Sequence, residues 1–97
     1  MTRADILREA VEIVCGERES QYGSPEDNFK MIADLWSAYM GIPVYPKDVS
    51  CMMMLLKIAR IASGNAKMDN YIDIAGYAAC GGEIECIQAS KEVCHDK

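Results

Sequence analysis

Lys57 and Arg60 stand three residues apart, Asp69 and Asp73 four apart, and each pair falls in a stretch of helical pattern. Each pair therefore presents two like charges on one helical face. The short Ser63-Gly64 turn region between the stretches favours antiparallel packing, which lets the two pairs face one cleft. Two carboxylates on one face suit a hard divalent cation, and two cations opposite them suit phosphate oxygens. Together the four residues carry the chemistry of a nucleotide site. They also satisfy a plainer arrangement, an interhelical salt-bridge network without chemistry.

The two acids are not equivalent. Asp69 opens its helix, where a carboxylate caps backbone N–H groups and complements the helix dipole without any ligand. Asp73 lies a full turn further in and is the stronger candidate for a metal ligand. It shares a face with Asp69, with Gly76 or Tyr77, and with Cys80, beside an apolar face of Ile72, Ala75 and Ala79. Asn28 sits at the edge of another apolar stripe, where an amide needs a partner: a base, a sugar hydroxyl, a metal-bound water or a second capping bond. Tyr22 and Trp36 can stack on a base, although a lone inward tryptophan also suits a core. Asp48, half a turn around from Lys57, serves the start of its own helix.

Four helices position these residues, and no period-two alternation marks a strand. The first spans Ala4 to Arg18, with Ile6, Leu7, Ala10, Val11 and Val14 at helical spacing. The second starts at Ser24-Pro-Glu-Asp, a cap followed by a proline suited to the first helical position and by acids suited to the dipole. Phe29, Ile32, Ala33, Trp36 and Met40 form its expected buried stripe, and Gly41 to Pro46 end it. The third runs from Pro46 to Ala62 and closes at Ser63-Gly64. Its middle, Cys51-Met-Met-Met-Leu-Leu56, is apolar on every side, so it should lie at the centre of the bundle or in an oligomer interface. The fourth begins near Met68 or Asp69 and continues to Val93. Gly76, Gly81 and Gly82 weaken it unless a neighbouring backbone approaches there.

The 97 residues make one domain, 1–97, and its 51% hydrophobic and 26% charged composition is that of a globular chain without a membrane span. A net charge of −5 argues against a general nucleic-acid binder, which needs a basic face. The amphipathic start lacks an apolar signal core, so the expected location is cytoplasmic. Cys15, Cys51, Cys80, Cys86 and Cys94 include no C-x-x-C pair and read as reduced, mostly buried thiols. A zinc site at Cys94 and His95 is not expected, since structural zinc needs four well-spaced ligands.

Tyr22-Gly-Ser-Pro-Glu-Asp-Asn-Phe29, Ile32-Ala-Asp-Leu-Trp-Ser-Ala-Tyr39, Asp48-Val, Leu56-Lys-Ile-Ala-Arg60 and Asp69-Asn-Tyr-Ile-Asp-Ile-Ala-Gly-Tyr77 together resemble a group of small phage and prophage proteins. These look like remote members of the MazG-like all-α nucleoside triphosphate pyrophosphatases. The resemblance covers Gln21 to Glu83. It implies an all-α four-helix bundle, a homodimer or homotetramer, and Mg²⁺-dependent cleavage of a nucleoside triphosphate to a monophosphate and pyrophosphate. Asp73 followed by Ile-Ala-Gly-Tyr resembles the aspartate of the family's second acidic motif, Glu-x-x-Asp. Asn70 occupies the place of its glutamate, and Asp69 stands one residue before it. The first acidic motif, Glu-x-x-Glu, has no match, because the third helix offers Met52-Met-Met54 and then Lys57 and Arg60; Glu19, Glu26 or Asp27 are the substitutes at hand. The enzyme reading gives Mg²⁺ to Asp69 and Asp73, catalytic roles to Lys57, Arg60 and Asp73, and nucleotide contacts to Asn28, Lys57, Arg60 and Tyr77. The competing reading is a bundle of the same type that binds a nucleotide or a protein partner without turnover.

Overall fold

The computed structural model describes residues 1–17 and 23–96, with side chains described for 1–16 and 23–91. Among the described residues there are four α-helices and no strand: α1 (Arg3–Glu12), α2 (Pro25–Met40), α3 (Pro46–Ala62) and α4 (Met68–Asp96). The starts follow local chemistry. Thr2 Oγ1 accepts from Asp5 N, and the Asp5 carboxylate accepts from Thr2 N, a reciprocal cap one residue ahead of the expected start. Ser24 Oγ accepts from Asp27 N with Pro25 in the first turn, as the sequence predicts. The Asp48 carboxylate accepts from Tyr45 N at 2.9 Å, which confirms its place at the start of α3. At the end of α2, Gly41 takes φ 71°, a left-handed conformation that favours glycine.

The first helix is shorter than its periodicity suggests. Regular α structure ends at Glu12 and passes into a π-helical stretch, Ile13–Glu17, with Gly16 off helical geometry at φ −106°, ψ −118°. A glycine without a side chain to defend the helix is where such a break occurs most cheaply.

α4 is the hub. It packs most extensively against α3 and also against α1 and α2. Its inward line is Ile72, Gly76, Cys80 and Ile84, all buried, and with Phe29, Ala33, Val44 and Val49 they form the core. α3 is therefore not central, contrary to its apolar circumference. Only Val49 and Ser50 are buried on it, whereas Met52, Leu55, Leu56 and Ile58 are exposed. Four further positions depart from the expected stripes: Leu7, Val11, Met40 and Ala79 are exposed. α1 docks through Ala10, which leaves Leu7 and Val11 beyond the contact strip. Met40 is replaced in the core by Val44, whose N–H is held by Ser37 Oγ at 2.8 Å while that hydroxyl donates to Ala33 O at 2.7 Å.

The thiols are less buried than expected. Cys15, Cys51 and Cys86 are free and exposed, and Cys80 alone of the four described side chains is buried. No helix among the described residues is long and apolar enough to cross a membrane. Glu19 and Tyr22 lie outside the described residues, as do the side chains of Cys94 and His95.

Candidate functional site

α3 and α4 are locked before any charge is considered. Ser50, fully buried, donates its hydroxyl to Tyr77 O at 2.7 Å, which satisfies a polar group that burial would otherwise penalise. Gly81 faces the same hydroxyl so closely that a Cβ there would overlap Ser50 Oγ. The glycine is needed because a neighbouring side chain, not a neighbouring backbone, comes close. Gly76 plays a milder version of the part against Val14, and Gly82 faces open space. At the turn, Asn70 is buried and its Nδ2 donates to Asn65 O at 2.6 Å, so this residue tethers the α3–α4 connection.

On this frame Lys57 meets Asp73. Lys57 Nζ lies 2.8 Å from Asp73 Oδ2, with side chains 13% and 25% exposed, so the pair is largely withdrawn from solvent. The other ion pairs among the described residues, Arg8–Asp5, Lys30–Asp34 and Lys91–Glu26, are far more exposed. Screening makes those weak, while withdrawal strengthens the attraction at Lys57–Asp73 and raises the cost of breaking it from one side.

Asp73 also lines an open cleft of about 280 Å³ to which all four helices contribute residues. Its wall is mainly apolar: Val14 from the π-helical stretch, Phe29 and Ile32 from α2, Met53 from α3 and Ile72 from α4. Asn28 and Tyr77 supply polar atoms, and the Tyr77 ring packs on Phe29 at 6.4 Å between centroids, tilted by 42°. An apolar hollow with a few fixed polar groups is the usual form of a small-molecule site, and this one falls just below the usual size range.

Of the residues singled out in the sequence, Asn28, Asp73 and Tyr77 line the cavity and Lys57 is bonded to one of them. Arg60 and Asp69 are exposed and stand outside the lining. Asp69 is in the first turn of α4, one residue in from its start, and does not serve as the cap. Glu26 pairs with Lys91 at 3.1 Å and Asp27 is exposed at the start of α2, so neither joins the cavity. Trp36 packs against the core instead of the cavity. Ser50 and the contribution of Ile13 and Val14 were not legible as site features, since no spacing rule marks a serine that bonds 27 positions away.

Fold and cavity together define a small all-α domain with a partly charged, apolar-walled site. Residues 5–85 match the family described as a domain of unknown function, DUF6378, and the chain belongs to that family. The match contains every candidate site residue. The chain is 43% identical over 88 residues to the Gene 55 protein of Mycobacterium phage L5, an overlap covering 90% of this chain and 54% of that protein. It is 44% identical over 75 residues to the Gene 55 protein of Mycobacterium phage D29, covering 77% and 50%. It thus spans about half the length of these curated relatives. No solved structure matches it.

Proposed function

We propose that this domain is a MazG-like bundle that binds a nucleoside triphosphate and releases pyrophosphate from it, leaving the monophosphate. The observation that carries the reading is the meeting of Lys57 and Asp73 beside a cavity of nucleoside scale that also takes in Asn28 and Tyr77. The apolar wall, with Phe29 and Tyr77, receives the base, and the Asn28 amide orients the base edge or the sugar. Lys57 neutralises charge that develops on the departing pyrophosphate. Arg60, one turn along the same helix and exposed, meets the phosphates outside the cavity.

Mg²⁺ fits this chain in a limited way. Among the described residues no three His, Cys, Asp or Glu groups cluster, so the ligands on offer are Asp69 and Asp73 from one face of α4. One or two carboxylates, completed by phosphate oxygens and water, are what Mg²⁺ ordinarily takes. When bound, such an ion supplies charge neutralisation at phosphate and a water of lowered pKa. The test is incubation of the protein and Mg²⁺ with each common nucleoside and deoxynucleoside triphosphate, with pyrophosphate release as the readout. Release above the protein-free rate supports hydrolysis; its absence for every nucleotide sinks it.

Binding without turnover is the second reading. It is favoured by α3, which presents Met52, Met53 and Met54 where a second set of acids would stand. Saturable nucleotide binding without pyrophosphate release would select it. In either reading the exposed apolar side chains Met52, Leu55, Leu56 and Ile58 of α3 support a homodimer or homotetramer, acting in the cytoplasm where nucleotides are found.

A further inference from the structure

We propose that Lys57 and Asp73 form an exchangeable charge pair that admits a phosphate anion and a divalent cation together and resists either alone. The inference rests on the nucleotide reading above but concerns how the site is gated. A ligand on either residue competes with the other for its charge, because Lys57 Nζ lies 2.8 Å from Asp73 Oδ2 in a largely withdrawn position. The helices cannot separate to relieve this. Ser50 donates to Tyr77 O at 2.7 Å, and Gly81 lies against the same hydroxyl, so α3 and α4 are fixed nearby. Exchange is therefore left to the side chains, and the long lysine stem is the part able to swing.

The consequence follows from charge alone. If Lys57 turns to an anion by itself, the Asp73 carboxylate is left uncompensated beside a second negative charge. If Asp73 turns to a cation by itself, the Lys57 ammonium is left beside a second positive charge. Uncompensated charge in a withdrawn site is costly, whereas replacing both partners at once leaves every charge matched. The protein thus couples the two ligands, and the coupling is reciprocal.

The test uses the intact chain with Mg²⁺ and inorganic pyrophosphate as separate probes in titration calorimetry. In EDTA, Asp73→Asn should bind pyrophosphate about fivefold tighter or more, because Lys57 is released and the competing charge is gone. Without any phosphate, Lys57→Gln should bind Mg²⁺ tighter by a similar factor. Unchanged or weaker affinity in either arm overturns the proposal, since a residue acting only as a ligand gives no gain. Wild-type protein provides an arm that needs no folded variant: the Lys57 ammonium resonance, by nitrogen-detected nuclear magnetic resonance, should move with Mg²⁺ and pyrophosphate together and stay put with each alone. A full shift with one probe overturns the proposal. Pyrophosphate release from nucleotides, measured in parallel, separates the two claims. Tightening without release sinks hydrolysis and keeps the exchange; release without tightening does the reverse.

Discussion

The two sides of α3 differ in the size and polarity of their side chains and in what surrounds them. Towards α4 the side chains are small or polar, Val49, Ser50 and Lys57, and they permit a close approach closed by a hydrogen bond and an ion pair. On the other side Met52, Leu55, Leu56 and Ile58 are exposed, Leu55 to 63%, and no charge interrupts the run from Val49 to Leu56. Burial inside the protomer thus follows shape and pairing, not hydropathy. The exposed apolar side chains from Met52 to Ile58 are the surface on which the proposed self-association rests.

The sharpest way to break this contrast is on the inner side. Gly81→Leu should lower unfolding stability by about 3 kcal/mol in urea titrations, because the new side chain overlaps Ser50, while Gly82→Ala, facing open space, should not destabilise the fold. A tolerant Gly81 would mean the two helices are not locked. Next, Ser50→Ala should cost about 1–2 kcal/mol by removing the bond to Tyr77 O. On the outer side, Leu55→Glu should leave protomer stability within about 0.5 kcal/mol yet shift light scattering to a smaller species. If wild type is already monomeric at micromolar concentration, the outer face has another purpose.

The smallest effect belongs to neither side of α3 and calibrates both. The Asp5 carboxyl is held below its ordinary value of 3.8, first by the Thr2 backbone N–H and then by the Thr2 hydroxyl. A group lowered in the folded state stabilises above its unfolded value and loses that contribution as pH falls through the folded one. Asp5→Asn should therefore lower stability slightly at neutral pH, with the gap from wild type closing in strong acid. A gap that persists there would assign the effect to helix propensity instead of the cap.

What was legible in the sequence is what local chemistry decides. Ser24, Pro25, Pro46 and the Met68 start fall where capping and proline rules put them, and the absence of strands follows from periodicity. The spacing of Lys57 and Asp73 likewise brought them together. Tertiary choices were not legible. Nothing near Gly16 announces that helical geometry fails there, and the Ser50 bond and the demand on Gly81 each depend on a residue from another helix. The apolar circumference of α3 misplaced the centre because periodicity counts hydrophobic faces without saying which neighbour covers them.

The order of the helices has a kinetic consequence. α3 and α4 share the largest interface and are joined only by residues 63–67, so the ion pair belongs to a hairpin whose closure is entropically cheap. α1 reaches α4 from the far end of the chain, and the π-helical stretch after it sets Val14 against Gly76. The Lys57–Asp73 side of the cavity should thus form early, and the wall supplied by Ala10 and the π-helical stretch late. In the folded protein the same order runs backwards: α1 should lift first, and slow-exchanging amides should be concentrated in the α3–α4 hairpin beneath it.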